Sequence, residues 1–219
     1  MKNCNKKSAA GSDNINNLLL LNCPENILDF IFHLFNASLK LGYIPHSWKA
    51  AKIIMLHKKG KPPDDFTSYR PISLLNCISK LLEKLINNKL MYWAETNNIL
   101  PACQSGFRKS KNCQDQILRL NQGIINGFKN KKKTCVVFFD LEKAFDKASH
   151  NGIIHKLTKL NLNTTLLNWI SNYLIDRSFH VSWNNKSSKA YKILTGAQGS
   201  CLSPSLFILF FSDISEIIP

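Results

Sequence analysis

The stretch that most limits the possible folds is 134–139 (TCVVFF), six residues without a charge that run directly into Asp140. A short, continuous apolar segment rich in β-branched and aromatic residues suits a central strand buried on both faces. The aspartate then emerges at the strand's C-terminal edge, where open α/β sheets place their chemistry.

Around that strand the periodicity is mostly helical. Pro24 and Glu25 open a helix whose apolar positions Ile27, Phe30, Ile31, Leu34, Phe35 and Leu41 repeat near 3.6 residues, and Gly42 closes it. Residues 51–56 (AKIIML) read as a strand, followed by a mobile basic loop at 57–68 with Lys58, Lys59, Lys61 and the Pro62, Pro63 pair. A second amphipathic helix spans 76 to about 92 on the stripe Ile78, Leu81, Leu82, Leu85, Ile86, Leu90. A third covers about 113–128, with Ile117, Leu120, Ile124 and Phe128 on one side. Helices near 150–160 and 164–175, a hairpin from 179 to 193 turning at Asn184 and Asn185, and a final helix opened by Pro204 complete the pattern. Residues 1–23 are polar and read as a frayed lead-in.

Lys and Arg total 29 against 14 Asp and Glu, a net of +15 spread along the chain, which points to a polyanionic partner. Nucleic acid comes first, because phosphate contacts give sequence-independent affinity through counterion release. A membrane surface comes second, but no basic amphipathic helix with a clean apolar face stands out. The N-terminal residues lack a signal-peptide core, and the richest apolar run, 206–211, is too short to span a bilayer, so an intracellular chain (cytoplasm or nucleus) is expected. Seven cysteines show no CxxC pair and no zinc spacing; most are expected to be buried thiols.

Asp140 has two readings from the residues alone, a helix cap or a ligand for a divalent cation. Asp146 follows six residues later. If a helical turn begins after Asp140, the two point to opposing faces, so a cap or salt bridge suits Asp146 better than a shared ion.

Five segments in order carry a resemblance: 48–61 (WKAAKIIMLHKKGK), 68–86 (SYRPISLLNCISKLLEKLI), 104–112 (QSGFRKSKN), 138–157 (FFDLEKAFDKASHNGIIHKL) and 198–214 (QGSCLSPSLFILFFSDI). Together they resemble the reverse transcriptases of non-LTR (LINE- or jockey-like) retrotransposons over about four-fifths of the chain.

The resemblance implies an α/β (α+β) right-hand polymerase fold with helical fingers at 24–130 and a partial palm at 131–219 carrying a small antiparallel sheet. It implies an RNA-directed DNA polymerase that uses an RNA template, a DNA primer, deoxynucleoside triphosphates and Mg2+, with Mn2+ as an alternative. Asp140 then matches the first metal-binding aspartate, and Leu141 offers its carbonyl to the same ion. Phe145 matches the aromatic beneath the incoming sugar, with an ordinary core phenylalanine as the other reading. Lys58 and Arg70 match the clamp on the triphosphate, as against a solvated basic loop. Gln198 and Gly199 match the turn against the nascent base pair, as against a plain glycine turn. Arg108, with Lys109 beside it, matches a template or primer backbone contact, and for Arg108 a structural salt bridge competes.

Two departures stand out. Ala197 replaces the proline usual before Gln198, and the sequence ends at Pro219 without the aromatic-Ala-Asp-Asp hairpin of the family. The resemblance therefore implies that these residues alone do not polymerise. It also leaves a second possibility, a non-catalytic nucleic-acid binder.

Overall fold

The computed structural model describes residues 5–217 apart from 7, 143, 185, 197 and 198; the side chains of 146 and 217 also lie outside the description. The expectations for Gln198, Ala197 and the Asp146 side chain fall outside the described residues.

The N-terminal half is set by its caps. Asn16 accepts from Leu19 N–H to start α1 (Asn17–Leu21). Pro24, fixed at φ −65°, precedes α2 (Glu25–Leu41), and Gly42 at φ +61° ends it, a conformation that glycine adopts without strain. After Pro45 come α3 (His46–Lys49) and β1 (Ala50–His57); a single 3-10 turn then leads into β2 (Tyr69–Leu74). The long α4 (Cys77–Thr96) follows, and then α5 (Cys113–Lys129), opened by a reciprocal capping box between Asn112 and Asp115. The C-terminal half holds α6 (Ala144–Lys147), α7 (His150–Lys159) and α8 (Thr164–Leu174), then β3 (Ser178–Trp183), β4 (Lys186–Ser187) and β5 (Tyr191–Lys192). The described elements close with α9 (Ser203–Phe210), which has proline in its first turn, and α10 (Ile214–Ile217).

The sheet runs β2-β1-β3-β4, with β5 also on β3. β1 pairs antiparallel with β2 (Lys52 opposite Leu74) and parallel with β3 (Ala50 opposite Ser178, Ile54 opposite Ser182). The sheet is therefore mixed, not antiparallel as expected. A parallel pair needs a crossover, and α4 to α8 supply it. Strand β1 lies before residue 130 and β3 after it, so one sheet ties the two halves of the chain.

The core forms where α8 meets α2, α4, α7 and α9. Trp169, Ile170, Tyr173 and Leu174 of α8 are buried with Ile86 and Leu90 of α4, Leu157 of α7, and Leu206 and Leu209 of α9. Trp169 donates its ring N–H to Ser38 Oγ at 3.1 Å, which joins α8 to α2. Leu90 is fully buried, so Leu90→Ala costs about 2–5 kcal/mol.

Several expectations are corrected. The 134–139 segment is not a strand: it is irregular, with Val137, Phe138 and Phe139 at 65%, 83% and 81% exposure. A strand exists only with a partner, and among the described residues nothing pairs with it. Helix α5 forms as its periodicity requires, yet none of its residues is buried; Ile117 and Phe128 face solvent. In α2, Ile31 and Phe35 pack inward while Phe30 and Leu41 are exposed, and in α4 Leu85 is exposed while Glu83 is buried. Part of the N-terminal lead-in is packed, since Leu20 joins the core and a Cβ on Gly11 would lie 2.7 Å from the Asn76 backbone. Of the six described cysteines, Cys77 is buried and Cys103, Cys113, Cys135 and Cys201 are exposed. Among the described residues no helix is long and apolar enough to cross a membrane.

Candidate active site

Asp140 ends the irregular 134–140 stretch and is exposed, with no hydrogen bond or ion pair among the described residues. It borders a cavity of about 230 Å3 together with Leu141, Glu142, Ala144, Lys147 and Ala148. The opposite wall is aromatic: α9 and the residue after it supply Phe207, Phe210 and Phe211, whose i, i+3, i+4 spacing places them on one helix face. Glu142 and Lys147 form an exposed ion pair at 3.4 Å across the same rim. A carboxylate thus stands free at the mouth of an apolar pocket.

Phe145 is wedged edge-on between Phe107 (5.7 Å between ring centroids) and Phe207 (5.1 Å). It connects the 104–109 turn, the Asp140 segment and α9, and at 36% exposure one edge of its ring remains accessible. That position suits a steric role, because a ring held on two sides cannot easily give way.

Lys58 and Arg70 come together on the β1–β2 ribbon. Arg70 is opposite Leu56, and Lys58 N–H donates to Ser68 O at 2.8 Å, so strand alternation puts Lys58 and Arg70 on the same face. Lys58 Nζ donates to Thr67 O at 2.7 Å, while Arg70 is exposed with no ion pair among the described residues. Neither residue borders the Asp140 cavity.

Gly199 backs onto β2 three residues from Arg70. Its φ is +81°, and a Cβ there would lie 2.3 Å from Ser73 Cβ and 3.2 Å from Ser73 O. Glycine is required twice over, by conformation and by space.

The post that holds this turn is Glu83, 1% exposed on α4. Its carboxylate accepts from Ser200 Oγ at 2.9 Å, Cys201 N–H at 3.3 Å and Ser79 Oγ at 3.2 Å. Cys201 is exposed as a residue, but its Sγ turns inward to 3.7 Å from the Glu83 carboxylate, and desolvation of that thiol, with the carboxylate beside it, pushes it up to about 12. The same buried region contains Arg177, 0% exposed, its guanidinium 4.4 Å over the Tyr173 ring. Sequence reading missed Glu83. The signal was there, because helical spacing puts 83 on the side of Ser79, Ile86 and Leu90.

Arg108 occupies a structural position. Its Nε and Nη2 donate to the two Glu95 oxygens at 2.9 and 2.6 Å, and Nη1 donates to Pro101 O at 2.8 Å and Gln104 O at 3.1 Å. The bonded guanidinium holds the Glu95 carboxyl below its usual range, and Glu95 raises the Arg108 pKa in turn. A phosphate contact would have to displace these bonds, so the salt-bridge reading of Arg108 is the one the geometry supports. Lys109, next in the chain, is exposed.

The divalent ions that the resemblance implies need several oxygen donors converging on one point. Among the described residues no group of three His, Cys, Asp or Glu side chains is placed to hold a metal. Asp140 with the neighbouring carbonyl fits one ligand position of a hard cation. A two-ion centre needs several anionic oxygens, and these residues by themselves do not fit it.

The comparisons with known proteins bear on the same segments. The family profile "Reverse transcriptase (RNA-dependent DNA polymerase)" matches residues 56–219. The RNA-directed DNA polymerase from mobile element jockey of Drosophila melanogaster is 36% identical over 214 residues, covering 97% of this chain and 23% of that protein. The probable RNA-directed DNA polymerase from transposon BS of the same species is 38% identical over 209 residues, 95% of this chain and 23% of that protein. A Pol polyprotein from retrotransposable element R2 of Popillia japonica is 27% identical over 206 residues, 92% of this chain and 27% of that protein. The chain thus spans about a quarter of the length of the curated relatives it matches. With the family profile covering Asp140, Phe145 and the Gly199 turn, and with relatives above 30% identity along nearly its whole length, the chain belongs to the reverse transcriptases of non-LTR retrotransposons.

Proposed function

We propose that these residues are the fingers and the front of the palm of an RNA-directed DNA polymerase that extends a DNA primer on an RNA template with deoxynucleoside triphosphates. In this reading 24–130 forms the fingers, 131–219 the partial palm, and 1–23 the lead-in. The observation that carries it is the free Asp140 carboxylate beside the Phe145 wedge, both within the region the family profile covers.

Asp140 contributes one ligand to a Mg2+ site, which Mn2+ can also fill, with the Leu141 carbonyl beside it. An ion held there would supply charge neutralisation at phosphate oxygens and activation of a hydroxyl, provided further anionic oxygens completed its coordination. Phe145 excludes a 2′-hydroxyl by lack of space. Lys58 and Arg70 hold the triphosphate, a point charge and a planar fork being suited to phosphate oxygens. Gln198 and Gly199 form the turn beneath the new base pair, and Lys109 reaches a backbone phosphate.

The test is a titration with an RNA–DNA hybrid at several salt concentrations. A net of +15 supports binding that weakens steeply as salt rises. Absence of binding at low salt, or salt-insensitive binding, contradicts the proposal. A second reading, a binder of nucleic acid without chemistry, is favoured by one observation: among the described residues no group of three His, Cys, Asp or Glu side chains is placed to hold a metal.

A further inference from the structure

A second cleft, of about 540 Å3, lies between α4 and the 104–109 turn, away from the Asp140 cavity. Its α4 wall carries Asn87, Asn88, Met91 and Tyr92, and the turn supplies Phe107 and Lys109. The α4 residues flank the buried face of that helix (Leu82, Ile86, Leu90); Met91 packs partly against the core, while Asn88 and Tyr92 are exposed.

The chemistry of these groups is selective. Tyr92 and Phe107 are 72% and 58% exposed, and the contact of Phe107 with Phe145 leaves most of its surface open. Phe107 is fixed at φ +59°, and the Arg108–Glu95 pair pins the turn that carries it. Glu95 also borders the cleft, and its carboxylate is already neutralised by Arg108, which removes the repulsion a phosphate would otherwise meet. Asn88 presents an exposed side-chain amide on the same wall, able both to donate and to accept, whereas Asn87 Oδ1 is closed to solvent. Lys109 supplies an exposed cation at the rim.

We propose that this cleft takes one unpaired nucleobase of a single-stranded nucleic acid. The base stacks on Tyr92 and Phe107, its hydrogen-bonding edge meets the exposed Asn88 amide, and Lys109 meets the adjoining phosphate. A π face, a hydrogen-bonding edge and an anion on one ligand answer all three features of the cleft, and the volume suits a small-ligand site. The inference rests on the reading of the chain as a handler of nucleic acid and deepens it by naming a contact distinct from the nucleotide site.

The experiment is a fluorescence anisotropy titration of a labelled oligoadenylate of about ten nucleotides, repeated over a salt series. It compares the wild-type chain with Tyr92→Ala, Tyr92→Phe and Lys109→Gln. Tyr92 is too exposed for its loss to unfold the chain, which a melting curve on each variant checks. Tyr92→Ala is expected to weaken binding about tenfold or more with the slope of affinity against salt unchanged, because stacking carries no counterions. Tyr92→Phe keeps the ring and retains affinity, and Lys109→Gln lowers the slope by about 0.7. If the wild type binds and Tyr92→Ala binds equally well, the base site is wrong and the polymerase reading stands. If Tyr92→Phe loses as much as Tyr92→Ala, stacking is wrong. If the wild type does not bind even at low salt, both readings fall.

Discussion

Replacing Arg108 with alanine separates two jobs that one basic residue could hold. Its guanidinium makes four hydrogen bonds, two to Glu95 and two to backbone carbonyls of the 101–104 turn, and its side chain is only 10% exposed. Hydrogen bonds to a charged group contribute about 1.5–3 kcal/mol each when buried, and less where, as at Glu95 with 39% exposure, water screens the partner. Allowing for that screening and for water reaching the freed carbonyls, Arg108→Ala should cost about 2–4 kcal/mol. For a chain of this size that is a drop of about 4–16 °C in melting temperature. Arg108→Lys should recover less than half, because one ammonium cannot span the fork. Thermal melts followed by circular dichroism measure the loss, and oligonucleotide titrations across salt measure the number of phosphate contacts. The expected result is a large loss of stability with the salt slope unchanged. An unchanged melt with a reduced slope would refute the structural assignment and restore the phosphate contact.

Arg108 holds the Glu95 carboxyl below its usual range, and a hydrogen bond from Lys156 at 2.5 Å does the same for Asp213. A depressed carboxyl stabilises the fold above its ordinary pKa and ceases to do so as pH falls through the lowered value. The melting temperature should therefore fall as pH drops from about 5 to about 2, less steeply in Glu95→Gln/Asp213→Asn; an identical pH profile would exclude these pairs as the cause. Gly199→Ala should lose about 1–3 kcal/mol from strain and the clash with Ser73, and adding Ser73→Gly should restore only the clash component. The exposed Val137, Phe138 and Phe139 should drive self-association, visible by sedimentation and relieved by Phe138→Ser/Phe139→Ser without loss of melting temperature; a wild type that stays monomeric at high concentration contradicts this. Exposed Cys103, Cys113 and Cys135 should react quickly with a thiol reagent at neutral pH, and Cys201 slowly because its thiol is pushed up to about 12; equal rates would contradict the Glu83 contact.

Much of the fold was legible because local rules agreed with it. Pro24 and Gly42 bracket α2, the capping box opens α5, and the β-branched 51–56 run lies within β1. The failures share a cause. Composition says how a segment would behave with a partner and not whether the partner is there: among the described residues 134–139 has strand chemistry and no strand paired with it, and α5 has an apolar face of which no residue is buried. Motif order proposed Asp140, Phe145 and Gly199 as site residues, and the close approach of Gly199 to Ser73 explains the glycine there; Arg108 could not be assigned from sequence because its carboxylate partner lies thirteen residues away on another element. Glu83 was hidden by its own helix, a carboxylate in an otherwise apolar face, with acceptor bonds to residues more than a hundred positions later.

Mn2+ bound by the wild type and by Asp140→Asn, counted by electron paramagnetic resonance in the presence of a primed RNA template and dTTP, tests whether Asp140 is the metal-binding carboxylate of a polymerase site that these residues build only in part. Protein-dependent Mn2+ binding in the wild type that Asp140→Asn abolishes, with no extension of the primer by either, supports that assignment. Equal Mn2+ binding in the two proteins, or Mg2+-dependent primer extension by the 219-residue wild type, would contradict it.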